Sequence, residues 1–372
     1  MSTTTEILHL RVESEDASPA VTPLYQCSAF TAESSYFYSR KNNPNVVEFE
    51  RVVAAIENAA HGVAYATGMS AIHMALELLS PGATLVINKD IYGCSYKLFQ
   101  RVATRLNLNL VVMDLSIAAN IKNIPAATDM VFFETPTNPF LKTIDIAHTA
   151  ETVKSRNPQA LVVVDNTWAT PTFQHPLEFG ADISLHSATK YFSGHSDVMG
   201  GIALVNDDAL HQKLLESRFY AGTILTPHSA WLLRRSMQTF HLRMTQHRTV
   251  TLGLSAFLRE LPQVKHVYYP EVDGRQLTGY GGIVFLDLRD DLAGKYEQFR
   301  DALRWFDTGT GMACVTSMIA QPYSGSHASL TEAEKSDMGI GRGLVRLCFG
   351  LENPEDLKKD LLNAFEAIAA TG

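Results

Sequence analysis

Charge is scarce in this chain. Only 19% of its 372 residues are charged, and 31 basic residues against 39 acidic ones leave a formal net charge of −8. A mildly acidic surface repels a phosphate backbone, so nucleic acid is excluded as a partner except at a local basic site. Cysteine is scarcer still. The four, Cys27, Cys94, Cys314 and Cys348, are scattered and show no CxxC spacing. That pattern supports neither a zinc site nor a disulfide framework. Long apolar runs are missing too, so no membrane span is expected. The opening "MSTTTEILHLRVESEDASPA" is polar and lacks the apolar centre of a signal peptide. A reducing cytoplasm is therefore the expected compartment. Repeats and low-complexity segments are absent as well.

Hydrophobic residues make up 46% of the chain, enough for one large core and a smaller one. Residues 1 to about 45 read as an irregular arm, with Ser, Asp and Pro at turn density in "SEDASPAVTP". A helix is expected at "EFERVVAAIENAAHG", where Phe49, Val52, Val53 and Ile56 share a face and Gly62 suits the stop. Beyond it, strand and helix patterns alternate. "GVAYA", "TLVIN", "NLVVMDL", "DMVFFE" and "ALVVVD" are short apolar runs separated by helical stretches such as "MSAIHMALELL". Continuous apolar runs suit a parallel sheet covered on both faces, and the alternation suits βαβ units. Near residue 240 the pattern changes to a helix, the strands "GGIVFLDL" and "GLVRLCFGL", and a closing helix capped by Asn353 and Pro354. The expected organisation is an arm over 1–45, a large α/β domain over 46–240 and a smaller α+β domain over 241–372.

One stretch stands apart. "SLHSATKYFSGHSDVMGG", residues 184–201, surrounds Lys190 with hydroxyls, histidines and glycines. A solubilising lysine needs no such setting. Upstream, Asp165 ends the apolar run "ALVVVD", and strand ends of an open parallel sheet face the ligand crevice. An acid at one strand end and a lysine just past another suit pyridoxal phosphate (PLP). The lysine amine bonds to the aldehyde, while the carboxylate keeps the pyridine nitrogen protonated. Ser187 and Thr189 can donate to the phosphate. "YATGMSAIHMAL" can complete that site, because Gly68 permits close backbone approach and a helix starting near Ser70 turns its free N–H groups toward an anion. In "GLVRLCFG", Arg346 lies opposite the apolar face formed by Val345, Leu347 and Phe349, and a guanidinium is a natural partner for a carboxylate.

These motifs resemble the PLP-dependent Cys/Met-metabolism enzymes, a family that includes cystathionine γ-synthase, cystathionine γ-lyase, methionine γ-lyase and O-acetylhomoserine sulfhydrylase. The resemblance runs from "VTPLYQCSAF" to "VRLCFGLENPEDLKKDL", with "DNTWATP…HSATKYFSGHSD" as its most specific part. It implies the aspartate-aminotransferase-like fold, PLP-dependent transferase fold type I, an α/β class with a mostly parallel central sheet and a smaller α+β C-terminal domain. It also implies a homotetramer built from two catalytic dimers. Carried over by position, Lys190 is the cofactor-bonding lysine and proton shuttle, and Asp165 partners the ring nitrogen. Tyr92 stacks on the ring and acts as acid or base. Gly68, Met69, Ser187 and Thr189 hold the phosphate, and Tyr38 and Arg40 reach the phosphate of a neighbouring subunit. Asn138 lies near the cofactor oxygen or the substrate carboxylate, which Arg346 binds.

The departures fall mainly on the substrate side. The family's "SRTGNPT" appears as "SRKNNPN", and its "SLGGVESL" as "GMACVTSM". Gly311 thus replaces a serine and Thr316 a glutamate. "YGC" in place of "YGG" puts Cys94 where methionine γ-lyases carry a cysteine. The resulting expectation is a PLP-dependent lyase or γ-replacement enzyme for an L-amino acid with a small leaving group on Cγ: a thiol, acyloxy group or halide. A cystathionine γ-synthase, γ-lyase or β-lyase and an O-acetylhomoserine sulfhydrylase stand as alternatives. A noncatalytic binding protein of this fold is a remote one.

Overall fold

The computed structural model describes residues 3–9, 19–309 and 311–370. Seven strands form the first sheet: β1 (His61–Tyr65), β2 (Thr84–Asn88), β3 (Asn109–Met113), β4 (Thr128–Glu134), β5 (Leu161–Asp165), β6 (Ile183–His186) and β7 (Gly201–Val205). Their order is β1-β7-β6-β5-β4-β2-β3. All neighbours run parallel except β7, which is antiparallel to both β1 and β6. The second sheet has the order β10-β11-β12-β9-β8, from β8 (Val264–Tyr268), β9 (Ile283–Leu288), β10 (Asp307–Thr308), β11 (Met318–Ala320) and β12 (Leu344–Cys348).

Both faces of the first sheet are covered, which is why its strands read as unbroken apolar runs. Val131, Phe133, Val162, Val164, Ile202 and Leu204 pack into one core cluster. The alternate residues Met130, Phe132, Val163, Leu185, Ala203 and Val205 pack into another on the opposite face. The second sheet has its own core, where Val345, Leu347 and Phe349 meet Leu357, Leu361, Phe365 and Ile368 of the closing helix Pro354–Ala369. The long helix Phe240–Arg259 joins the two: Phe240 and Met244 lie in the large core, and Val250, Leu254 and Leu258 in the small one. None of the described helices is long and apolar enough to cross a membrane.

Three local readings are corrected. The stretch over 1–45 is not wholly irregular, because Thr3–His9 is helical and Ile7 is buried in the main core; residues 10–18 lie outside the described residues. The helix Pro44–Glu57 stops at Asn58, which takes the left-handed conformation at φ 56°, and Gly62 belongs to β1 instead. Strand β7 was hidden in the sequence, because its short run "GIALV" directly continues the glycine-rich loop after Lys190.

Candidate active site

The carboxyl ends of β4, β5 and β6 bring the first group of residues together. In register, Glu134 of β4 lies beside Asp165 of β5, and Asp165 beside Leu185 of β6. Asp165 Oδ1 accepts from the Thr167 N–H at 2.9 Å and from the Thr167 hydroxyl at 2.5 Å. Burial pushes both carboxyls upward. Glu134 is driven well above its ordinary range, further raised by the charge of Asp165, and only the Tyr92 N–H opposes this. Asp165 is raised by burial but held back by the two Thr167 donors. With two donors on its carboxylate, Asp165 is the member that carries the charge, and Glu134 the member that holds the proton.

The helix Gly68–Leu76 points its first turn at the same place. Its N-cap is Thr67, whose Oγ1 accepts from the Ser70 N–H at 3.0 Å. The helix therefore starts two residues earlier than expected, and the Ser70 N–H is already engaged. A Cβ at Gly68 would lie 2.8 Å from Ser187 Cβ and 2.9 Å from its Oγ. Only glycine lets the helix start approach the Lys190 loop this closely. A Cβ on Gly201 would lie 2.2 Å from Thr67 O, so the loop's other end is equally tight. Met69 follows in the same turn. The Thr189 hydroxyl is bonded within the loop: it accepts from Gly200 N–H at 3.1 Å and donates to Gly200 O at 3.3 Å.

Lys190 is half-buried. Burial and then the Arg346 guanidinium hold its amine below the ordinary lysine range. A neutral amine is what attack on an aldehyde and proton transfer both require. Tyr92 is the N-cap of the helix Gly93–Leu106, and its own N–H donates to Glu134 Oε1 at 2.9 Å. Burial lifts its phenol to about 12; Cys94, hydrogen-bonded to it, and Glu134 add to this, and Arg346 opposes it. Arg346, in the centre of β12, is 2% exposed and donates from Nη2 to Gly311 O at 2.9 Å. Lys190, Tyr92 and Arg346 thus come from both sheets and the first-sheet loops, yet Arg346 acts electrostatically on both of the others. Asn138, in the loop after β4, is buried, and its Oδ1 has no hydrogen-bond partner among the described residues.

A cavity of about 370 Å³ opens beside Lys190, lined by Thr189, Ser196, Asp197, Val198, Met199, Gly311 and Met312. A Cβ on Gly311 would lie 2.7 Å from Met318 Sδ and 2.8 Å from its Cε, so Met318 takes the space a side chain there would need. Thr316 does not line this cavity. It is exposed, with its Oγ1 3.3 Å from Cys314 Sγ. Tyr38 and Arg40 are also elsewhere in this chain: Arg40 donates to Phe219 O at 2.8 Å and lies 4.2 Å over the Phe219 ring.

Sequence reasoning missed Glu134, Thr167, Asp197 and Met318. Glu134 carried the same signal as Asp165, an acid closing an apolar run, but one acid sufficed for the chemistry considered. The bond from Thr167 to Asp165 follows from the i, i+2 spacing of "DNT". Met318 reaches Gly311 only through the packing of β11, and nothing in its neighbourhood announces that.

These residues fit an aldehyde cofactor carrying a phosphate and a basic ring nitrogen. The tight approach of Gly68 to Ser187, the unpartnered amide oxygen of Asn138 and the charged Asp165 at the strand ends are what such a group needs. Comparisons with known proteins agree. The Cys/Met metabolism PLP-dependent enzyme family matches residues 4–366. A cystathionine β-lyase of Coxiella burnetii (strain RSA 493 / Nine Mile phase I) is 36% identical over 374 residues, 96% of each chain. An L-methionine γ-lyase of Pseudomonas deceptionensis is 34% identical over 379 residues, covering 95% of this chain and 94% of its own. The crystal structure of cystathionine γ-synthase from Xanthomonas oryzae pv. oryzae, in complex with cystathionine, superposes with a TM-score of 0.94 over 100% of both chains at 33% identity. This chain belongs to the Cys/Met metabolism family of PLP-dependent enzymes.

Proposed function

We propose that this enzyme removes a small, uncharged substituent from Cγ of an L-amino acid, by elimination or by replacement. The observation that carries the reading is the wall of the cavity beside Lys190, where bare Gly311 and the thioethers of Met199 and Met312 present apolar surface.

PLP, when bound, supplies an aldehyde for covalent attachment and a ring that withdraws electrons from Cα. The chain's own residues do the rest. Lys190, with its amine below the ordinary lysine range, accepts the proton from Cα and, once that proton has passed on, accepts one from Cβ, whose loss lets the γ substituent leave. Asp165, ionised between its Thr167 donors, holds the proton on the ring nitrogen. Arg346 binds the substrate carboxylate, with Asn138 beside it. Tyr92, kept in its phenol form, donates to the departing γ group. Gly68, Met69 and Ser187 hold the phosphate.

Cystathionine is the second reading, and Asp197 favours it. Its carboxylate lines the cavity and could receive a distal ammonium, although it also accepts from the Ser193 hydroxyl at 3.1 Å. A substrate panel separates the two. Methionine, O-acetylhomoserine, a γ-halogenated amino acid and cystathionine are compared by specificity constant, with products identified by mass spectrometry. We expect the highest constant for one of the first three. A cystathionine constant well above all of them overturns the preferred reading. We further propose that Tyr38 and Arg40 serve the phosphate of a neighbouring subunit, within a homotetramer of two catalytic dimers.

A further inference from the structure

The turn that carries Tyr92 is gripped by a segment from the far end of the chain. His327 is 0% exposed, and its Nε2 lies 3.2 Å from Ile91 O. A carbonyl only accepts, so Nε2 carries the proton, and Nδ1 is left to accept from the Ser326 hydroxyl at 3.0 Å. Burial holds the imidazole down to about 4, so it is neutral throughout the ordinary working range. On the other side of Tyr92, a Cβ at Gly93 would lie 2.7 Å from Ser326 O and 3.2 Å from His327 Cα. Tyr92 itself is tied through its N–H to Glu134 at 2.9 Å. Three successive residues of one turn are therefore fixed, two of them by Ser326 and His327.

The grip extends along the segment. Lys97, one helical turn beyond Gly93, bonds both oxygens of Glu334 at 2.9 Å. Glu334 is in turn fixed by the capping box it forms with Thr331. Lys89, just before the turn, lies 3.4 Å from Asp337. These outer pairs are partly exposed and individually weak. The His327 bond is buried and lies closest to Tyr92, so its loss costs more than that of an exposed pair.

We propose that His327 is a positioning residue: by donating to Ile91 O and packing against Gly93, it fixes the turn that sets the Tyr92 hydroxyl over the reacting centre. This rests on the reading of Tyr92 as the acid for the γ leaving group. The segment 321–338 precedes the strand that supplies Arg346, so the acid and the carboxylate-binding group share one support. A displacement of about 1 Å at a reacting group can cost roughly 100-fold in rate, so loss of the clamp falls on turnover and not on cofactor retention.

The test uses holoenzyme. His327→Ala should lower kcat by about 10- to 100-fold and leave KM within about threefold. Cofactor content, read from visible absorbance, should stay at the wild-type level. The visible circular dichroism of the bound cofactor should change, because Tyr92 stacks on its ring. His327→Gln, which keeps a side-chain N–H, should recover most of the rate. In a Tyr92→Phe background, His327→Ala should add no further loss. If His327→Ala does not fold, Gly93→Ala displaces the same turn from its other side and should show the same split between kcat and KM. The proposal is overturned if the folded variants keep kcat within about threefold of wild type, or if rate falls only in step with lost cofactor. An unimpaired Tyr92→Phe enzyme would remove the reading of Tyr92 as the acid. A dead Tyr92→Phe beside a silent His327→Ala would remove the positioning role alone.

Discussion

At Gly68 a single hydrogen atom separates the proposed phosphate site from a steric clash. An added methyl would lie 2.8 Å from Ser187 Cβ and 3.1 Å from its backbone Cα, and neither atom is the loose end of a flexible side chain. Gly68→Ala should therefore push the helix start away from the Lys190 loop. We expect apo-enzyme titrated with PLP to bind about tenfold or more weakly, with a thermal melting point close to wild type. An unchanged affinity would detach Gly68 from the phosphate. Residue types at this scale were legible where the chemistry is local. Lys190 and Asp165 could be read from strand ends and a small-residue loop. Glu134 and Met318 could not: Glu134 matters because β4 and β5 place it beside Asp165, and Met318 because β11 brings it to Gly311. Thr316 shows the converse, since its place in a motif did not reveal that its side chain faces solvent.

Among the elements, those with continuous apolar runs or clear caps were read correctly, and those whose limits depend on packing were not. The closing helix follows from Asn353, Pro354 and the spacing of Leu357, Leu361, Phe365 and Ile368. Strand β7 did not stand out, because its five residues are stabilised by pairing with both β1 and β6 and carry no turn signal of their own. The segment around His327 has no regular structure before the helix Glu332–Met338, so no periodicity marks it. It makes a prediction all the same. His327 and His247 are buried and held down to about 4, against 6.5 in an unfolded chain. Protons then bind the unfolded state first, so the stability these residues allow is complete above pH 6.5 and is lost as pH falls toward 4. Each is worth on the order of 3 kcal/mol at the acid end. Glu134 and Asp165, raised by burial, run the other way. Wild type compared with His327→Gln isolates the histidine: urea midpoints should diverge below pH 6.5, with the variant losing less. Parallel curves would mean that His327 is not held neutral.

Across the whole molecule, the site draws on both sheets: Asp165, Lys190 and Tyr92 from the first and its loops, Arg346 from the second. Arg40 is held at Phe219 in the same chain, beside a surface that exposes Phe37 and Tyr220. If Arg40 serves a neighbour, Arg40→Ala and Lys190→Ala enzymes, each inactive, should regain activity when their subunits are mixed, because a hybrid dimer contains one complete site. No recovery after demonstrated subunit exchange would mean that each chain completes its own site. The account as a whole depends on the amine that bonds the cofactor. Borohydride reduction of the holoenzyme fixes the cofactor on that amine, and peptide mapping by mass spectrometry identifies it. The added mass should fall on Lys190 alone, in the peptide containing "HSATKYF", and no added mass should be trapped in the Lys190→Ala protein. Label on any other lysine, or label retained in that variant, would contradict the site described here.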